Sequence, residues 1–267
     1  MNRLGTDLEL MLFESTAQGA KAVMPSGINR FIIDWEYMGK AARQAGFDTE
    51  IVPVGSFELS EVARLPDAIA WCRINRDGPQ MAEEVELAVS SGARGIFLPM
   101  VTAPFEVERF LRTVDGRCQV GILVETSAAL ACVRSLAALP LDRVYFGLND
   151  FAISRGGGSI FRAVLDGSVE RAREAFEGRP FGFGGITAVD AGTPVPCARL
   201  IEEMARLECQ FSFLRRSFRR DVLRVGVARL TDEVRAFWHK CQKRHASEIA
   251  RDRRALEQLL LGVCNAD

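Results

Sequence analysis

Short apolar runs recur about every 25 to 40 residues along the chain, and this spacing constrains the fold more than any other feature. Each gap between two runs is long enough for one amphipathic helix, a rhythm typical of parallel β/α units. The eight runs are Leu8–Phe13, Arg30–Trp35, Asp67–Ile74, Gly95–Met100, Gln119–Val124, Arg143–Leu148, Pro180–Gly185 and Phe211–Arg215. Eight repeats favour a closed (β/α)8 barrel, in the α/β class. An open doubly wound sheet is the alternative, because the periodicity indicates the number of strands but not whether the sheet closes into a barrel.

A charge-rich stretch with a helical pattern follows the eighth run, from Val222 to Leu261. It contains more helix than a (β/α)8 barrel needs. An apolar stripe runs along it, formed by Leu223, Val227, Leu230, Val234 and Phe237. We expect residues 1–221 to form the barrel and residues 222–267 a helical extension. This extension packs either on its own barrel or on a neighbouring subunit of a homo-oligomer, and the sequence leaves both arrangements open.

Charge and composition restrict the classes of partner. The 34 basic and 35 acidic side chains nearly cancel, so neither nucleic acid nor an anionic membrane surface is an expected partner. No apolar run approaches the ~18 residues of a membrane span. Seven cysteines without C-x-x-C spacing favour reduced thiols in a cytoplasmic protein. The two histidines, His239 and His245, lie in the charged C-terminal stretch, which disfavours histidine-based catalysis.

Two carboxylates stand at the ends of neighbouring apolar runs. Glu125 closes the fifth run, and Asp150 comes just after the sixth. Parallel strands would bring both acids to the carboxyl edge of the barrel, where barrel active sites lie and where a divalent cation is held by oxygen ligands. The alternative is that each acid is the N-cap or a first-turn acid of a following helix.

Arg73 is the third candidate at this edge. Strand alternation places it on the same face as Trp71 and Asn75, which we expect to be the barrel interior. A guanidinium there suits a carboxylate or an enolate oxygen. The alternative is a structural salt bridge to Asp34 or Glu36.

Further polar groups follow other strands and supply candidate substrate ligands. A basic segment, Arg215 to Arg220, follows the last strand, where barrels often bind phosphate. It has three interpretations: a phosphate site, a polycarboxylate site, or a contact with acidic residues of another subunit. The predicted substrate-binding residues are Glu14, Arg73, Asn75, Thr126, Arg215 and Arg216.

Five segments, in order, resemble the HpcH/HpaI aldolase and citrate lyase family of phosphoenolpyruvate/pyruvate-type barrels. The resemblance covers nearly the whole chain. The segments are Phe31–Glu36 with Lys40 and Arg43, Arg73–Asn75, Gly92–Val101, Leu123–Thr126 and Phe146–Ala152.

This resemblance implies a chemistry. Glu125 and Asp150 would bind Mg²⁺ or Mn²⁺, and the metal would chelate a 2-oxo acid or an acyl carboxylate. Arg73 would stabilise the enolate while a carbon–carbon bond beside a carbonyl is cleaved or formed. The expected function is a metal-dependent lyase or aldolase for a 2-oxo or hydroxy acid. The alternatives are a lyase for CoA-thioester or carrier-bound acids of the citrate or malyl type, and a non-catalytic barrel used for binding or assembly.

Two positions depart from the family pattern. Tyr37 stands where the aldolase branch has a histidine and the citrate lyase branch a second acid. Glu36 is therefore the leading candidate for the general base, followed by Glu14 and a metal-bound water. Met100 replaces a lysine found in many lyase-branch members, which weakens the CoA-thioester alternative.

Overall fold

The computed structural model describes residues 7–37 and 55–265, and these form one eight-stranded parallel sheet surrounded by helices. Lys40 and Arg43 lie outside the described residues. The strand order is β7-β6-β5-β4-β3-β2-β1-β8, and each neighbouring pair is parallel. The strands are β1 (Glu9–Phe13), β2 (Arg30–Asp34), β3 (Ile69–Arg73), β4 (Gly95–Leu98), β5 (Gln119–Val124), β6 (Arg143–Phe146), β7 (Phe181–Phe183) and β8 (Phe211–Leu214).

The two ends of this order, β7 and β8, meet and nearly close the sheet. A parallel bridge joins Ile186 to Leu214, and the Gln210 N–H donates to the Phe181 carbonyl at 3.0 Å. Gly182 permits the close approach, because a Cβ there would lie 2.3 Å from the Phe211 carbonyl oxygen. The predicted (β/α)8 barrel is confirmed, and the open sheet is not observed among the described strands.

The helices are numbered in chain order within the described ranges, where a short 3₁₀ helix, Met24–Ser26, also occurs. None of these helices is both long enough and apolar enough to cross a membrane. They are α1 (Ala17–Val23), α2 (Ser56–Ala63), α3 (Met81–Ser90), α4 (Pro104–Val114), α5 (Ser127–Ala131), α6 (Val133–Ala137), α7 (Leu148–Ser154), α8 (Arg162–Leu165), α9 (Ser168–Ala175), α10 (Cys197–Arg206), α11 (Ser217–Val225), α12 (Val227–Gln242) and α13 (Ala246–Asn265).

Strand alternation divides the apolar side chains into two cores. On β3, Ala70 and Cys72 face outward into the large core between sheet and helices, whereas Trp71 faces inward. The inner core fills the barrel with one or two side chains from most strands: Met11, Ile32, Trp71, Phe97, Leu123, Tyr145, Phe211 and Phe213. Arg73 is two residues beyond Trp71, so it lies on the same inner face, above this apolar plug.

The C-terminal extension packs on the same chain. Helix α12 contacts α10 and the 3₁₀ helix, and α13 contacts α8 and α10. Leu230 and Val234 of the predicted stripe are buried, but Leu223 is 89% exposed because α11 and α12 are separate helices joined at Gly226. The predicted division between residues 221 and 222 falls inside α11, and a separate extension unit stays a prediction.

Candidate active site at the carboxyl end of the barrel

A cavity of about 1300 Å³ opens at the carboxyl ends of the strands. The residues around it come from most of the strands and the loops that follow them, as expected for this end of a barrel. Its lining includes most of the charged residues that the sequence predicts: Glu14, Asp34, Glu36, Arg73, Glu125, Asp150, Arg215 and Arg216.

Glu125 and Asp150 reach the cavity from adjacent strands. β5 and β6 are hydrogen-bonded neighbours; Glu125 directly follows β5, and Asp150 lies in the first turn of α7 after β6. Both are buried, with 3% and 8% of their surface exposed. Neither acid is a helix cap, because Thr126 caps α5 with its side chain and Gly147 occupies the N-cap of α7. Neither acid is therefore an N-cap, but Asp150 is a first-turn acid of α7, as the second part of that alternative expected, and metal binding by the pair stays a prediction.

The Glu125 carboxylate is held in a defined position. Its Oε1 accepts a hydrogen bond of 2.9 Å from the Met100 N–H. Met100 has a left-handed backbone, with φ at 54°, which is uncommon for a residue other than glycine and is a form of strain found at functional sites. On its other side the carboxylate packs against Gly147, where a Cβ would lie 2.5 Å from Oε2.

Negative charge is concentrated around Glu125. Burial, followed by the carboxylates of Asp150 and Glu36, raises the pKa of Glu125 to about 8, although Arg73 and the Met100 N–H oppose the shift. Burial and nearby like charges both disfavour a second carboxylate anion. A bound cation would remove this penalty, so the electrostatics of the pair suit a metal ligand.

Arg73 forms the salt bridge that the sequence left as an alternative. Its Nε and Nη2 donate to Asp34 Oδ1 and Oδ2 at 2.9 and 2.7 Å, and Nη2 lies 3.3 Å from Glu36 Oε2. Burial alone would lower the pKa of Arg73, but Asp34 and Glu36 more than offset this and hold it above its ordinary value. The guanidinium is thus permanently charged and fixed in orientation while it lines the cavity.

The two candidate side-chain bases follow different strands, because Glu14 comes directly after β1 and Glu36 comes two residues after the end of β2. Glu36 has a side chain only 2% exposed and acts electrostatically on Glu125, so it belongs to the acidic group. Glu14 accepts hydrogen bonds from Thr16 through Oε1 and lies 3.2 Å from Arg219 Nη2 through Oε2. Glu36 is therefore more closely associated with the proposed metal ligands.

Asn75 and Thr126 do not line the cavity. Asn75 is fully buried: its Nδ2 donates to the Trp35 carbonyl and to Glu84, and its Oδ1 accepts from the Tyr37 N–H at 3.0 Å. These bonds hold the segment that carries Glu36. The side chain of Tyr37 itself is not part of the lining and is 62% exposed.

Thr126 has a similar role behind Glu125. Its hydroxyl donates to the Val101 carbonyl at 2.6 Å and accepts from the Ala129 N–H at 3.0 Å. The hydroxyl thereby ties the end of β5 to the loop after β4. Thr126 and Asn75 thus bond to neighbouring segments and lie outside the cavity lining, and the predicted contact of either residue with substrate stays a prediction.

The sequence reasoning missed the cavity floor. Leu123, Tyr145 and Phe213 line it, and the rings of Tyr145 and Phe213 stack at 3.7 Å. The Tyr145 hydroxyl donates to the Gly184 carbonyl. Inward alternation on β5, β6 and β8 was the signal that could have identified these residues. They give the charged site an apolar base that limits its contact with water.

The pair of carboxylates fits the coordination habits of a hard divalent cation. In the part of the chain that the structure describes, no group of three or more histidine, cysteine and acidic side chains could enclose a metal ion. Mg²⁺ commonly binds through one or two carboxylates and completes its shell with water or substrate oxygens. Glu125 and Asp150, facing a roomy cavity, match this open kind of site.

Comparisons with known proteins give a clear result for structure only. No protein-family model matches the chain, and no curated protein sequence matches it. A HpcH/HpaI aldolase/citrate lyase family protein from Burkholderia cenocepacia has a TM-score of 0.63 at 16% identity, covering 85% of this chain and 96% of that one.

Two structures from Mycobacterium tuberculosis are also similar. Protein CitE, in complex with magnesium and pyruvate, has a TM-score of 0.58 at 16% identity over 93% of this chain and 97% of that one. The citrate lyase beta subunit, complexed with oxaloacetate and magnesium, has a TM-score of 0.55 at 17% identity over 91% of this chain and 100% of its own. The resemblance seen in the sequence is thereby confirmed for the fold.

Proposed function

We propose that this protein is a Mg²⁺- or Mn²⁺-dependent carbon–carbon lyase or aldolase that acts on a small 2-oxo acid or hydroxy acid. One observation carries the proposal: Glu125, at the end of β5, and Asp150, in the first turn of the helix after the adjacent β6, are both buried and line the same cavity as Arg73. The similar structures that contain magnesium with pyruvate or oxaloacetate support this class of chemistry.

Glu125 and Asp150 would hold the cation. When bound, it would supply electrophilic stabilisation of the negative charge that develops on substrate oxygens as the carbon–carbon bond breaks or forms. Arg73 adds a fixed positive charge to the same cavity, and Asp34 holds its orientation through two hydrogen bonds. A preorganised charge of this kind is most effective where little water surrounds it, and the apolar floor covers one side of the site.

Glu36 is the residue to which we assign proton transfer. Its carboxylate is buried, lies 3.3 Å from Arg73 Nη2, and lines the cavity. A base of this kind would take the proton from a substrate hydroxyl during cleavage and return it during condensation. Glu14 is the second candidate, because it also lines the cavity but lies on the β1 side next to Arg219.

A lyase for CoA-thioester or carrier-bound acids is the second candidate function. It is favoured by the exposed arginines at the rim, Arg216, Arg219 and Arg220, which suit a phosphate-bearing group. Calorimetry with acetyl-CoA and free CoA distinguishes the two, since no detectable heat would leave the free acid as substrate. A cytoplasmic location and a homo-oligomeric state stay predictions from the sequence.

Glu125→Gln tests the metal-dependent proposal. The substitution keeps the size of the side chain but removes the anion that a divalent cation requires. We expect Mn²⁺ binding, and Mg²⁺-dependent binding of pyruvate, to fall below detection in calorimetry. Glu108→Gln is the matched control, because Glu108 is an exposed acid on α4 and does not line the cavity.

The same measurements can contradict the proposal. Wild-type protein that binds pyruvate equally well with Mg²⁺ and with excess chelator would exclude a metal-dependent site. Unchanged thermal stability on addition of Mg²⁺ and Mn²⁺, together with no pyruvate binding, would favour the non-catalytic alternative.

A further inference from the structure

The β8 side of the cavity contains a guanidinium whose bonding capacity is only partly used. Arg215 follows β8 and lines the cavity. Its Nε and Nη2 atoms are buried and have no hydrogen-bond partner among the described residues. In these parts of the chain no carboxylate lies within 4.0 Å of it, the limit that defines an ion pair.

The nearest electrostatic neighbour does not balance this charge. Burial raises the pKa of the Cys197 thiol, whereas the charge of Arg215 and a side-chain contact with it lower that pKa; the shift is upward, so the thiol is neutral at physiological pH and supplies no anion. Arg215 as a whole is half-buried, and a charge that loses part of its hydration is ordinarily compensated by an opposite charge. An anion bound in the cavity would therefore supply the charged partner that Arg215 lacks.

The surroundings fix Arg215 in place. A Cβ at Gly192 would lie 2.6 Å from Nη2, and a Cβ at Gly185 would lie 3.0 Å from the Cβ of Arg215. Glycine backbone thus packs closely around both ends of the side chain. Ser217, two residues further on, also lines the cavity, and its buried Oγ has no hydrogen-bond partner within the described ranges. Two polar groups with unused bonding capacity therefore lie close together in the sequence and face one cavity.

The neighbouring arginines differ from Arg215. Arg219 is paired with Glu14 at 3.2 Å, and Arg220 lies 3.9 Å from Asp221. Their side chains are 65% and 80% exposed, so they contribute a positive field at the rim and not a fixed contact. Of these arginines, Arg215 is the one whose side chain is packed into the lining of the cavity.

The strand order sets the position of this wall relative to the acidic group. In an eight-stranded barrel with the observed order, β8 lies opposite β4. Arg73 and Glu125 lie at the ends of β3 and β5, the two neighbours of β4. A molecule whose reacting end sits between β3 and β5 would point its other end across the cavity, toward Arg215.

We propose that Arg215 and Ser217 form a second anion-binding subsite, which recognises a carboxylate or phosphate at the end of the substrate remote from its 2-oxo acid group. The assignment of the remote end rests on the proposed function, whereas anion binding by Arg215 does not. Substrates with a second anionic group would then be preferred over uncharged ones, because the fork of a guanidinium matches the oxygens of either anion.

Anion binding without metal tests the subsite separately from the catalytic proposal. Calorimetry is done in HEPES buffer with excess EDTA, using inorganic phosphate and succinate as probes for wild type, Arg215→Met and Arg112→Met. We expect wild type to bind at least one probe, and Arg215→Met to weaken it about tenfold or more, as for a lost charged hydrogen bond. Arg112 is exposed on α4 and outside the cavity lining, so its variant should bind like wild type. The probe that binds more tightly identifies the remote group as phosphate or carboxylate.

Three results would overturn the subsite: no binding of either probe by wild type, equal binding by Arg215→Met, or a melting temperature of Arg215→Met well below that of Arg112→Met. The last would assign Arg215 a structural role, since removal of an unpaired buried charge should not destabilise the fold. Arg215→Lys keeps the charge but loses the fork, and we expect intermediate affinity. Glu125→Gln should retain anion binding in EDTA, so failure of the metal site and failure of the subsite are separate outcomes.

Discussion

Gly147→Ala should damage the metal site through contacts with one residue, Glu125. A Cβ at this position would lie 2.5 Å from Glu125 Oε2 and 2.9 Å from the Cβ of Glu125. The backbone of Gly147, with φ at −85° and ψ at 99°, is open to any residue. The substitution therefore adds no backbone strain, and its effect reports on the position of the Glu125 carboxylate.

The size of the effect follows from the overlap. Ordinary contact begins at 3.4 Å, so Oε2 must move by about 0.9 Å, from 3.4 minus 2.5. Overpacking of a buried site costs about 1–3 kcal/mol of unfolding free energy. Misplacement of a site group by about 1 Å costs about 10²-fold in rate. We expect a loss of Mn²⁺ affinity and of activity together with this moderate loss of stability.

Calorimetric titration with Mn²⁺ and urea denaturation of the metal-free protein measure the two quantities. Gly262→Ala is the matched control: Gly262 lies within α13, and a Cβ there has nothing within 4 Å. It should leave Mn²⁺ binding unchanged and raise stability by up to about 1 kcal/mol, the gain of alanine over glycine in a helix. Wild-type Mn²⁺ affinity and stability in Gly147→Ala would show that the Glu125 carboxylate is not held where the structure places it.

Two further predictions concern titration and proton transfer. The pKa of Glu125, raised to about 8 by burial and its acidic neighbours, lies above its ordinary value of 4.5, so the metal-free stability from this group falls between these two pH values and levels off above 8. Cation binding must displace that proton, so Mn²⁺ affinity should rise about tenfold per pH unit below pH 8 and level off above it. A Mn²⁺ affinity that does not change between pH 6 and 9 in calorimetry would contradict this. Glu36→Gln should lower kcat about 10²- to 10⁴-fold while Mn²⁺ binding persists; a larger loss in Glu14→Gln would transfer the role of base to Glu14.

The strands could be predicted from the sequence because each is a short apolar run, and the limits of β5 match the predicted run, but other limits do not. The third run was predicted to begin at Asp67, whereas β3 begins at Ile69. Asp67 has a left-handed backbone, with φ at 66°, which interrupts an extended strand. Met100 likewise has a φ of 54°, so β4 ends at Leu98, before the predicted limit. Such backbone reversals depend on neighbouring loops and leave no periodic signal.

The same distinction applies to the site. Glu125, Asp150 and Arg73 were found because strand position alone brings them to the carboxyl edge of a parallel barrel. Asn75 and Thr126 stand at equally suitable positions, but local partners turn their side chains away from the cavity: Glu84 for Asn75, and the Val101 carbonyl for Thr126. The direction of a loop side chain is set by hydrogen bonds to other segments, which sequence spacing does not encode.

The two sides of the cavity each contain charge that is not balanced in the ligand-free protein, and the charges are of opposite sign. On the β5 and β6 side, burial and then the neighbouring carboxylates raise the pKa of Glu125, whereas on the β8 side the guanidinium of Arg215 lacks an anionic partner in the described chain. Either group alone lowers the stability of the ligand-free fold, and proteins tolerate such costs where binding requires them. A cation on one side and a remote anion on the other would relieve both. Because the two sides share no side chain, their stabilising effects should add in thermal melts, and strong non-additivity would indicate that they are one site.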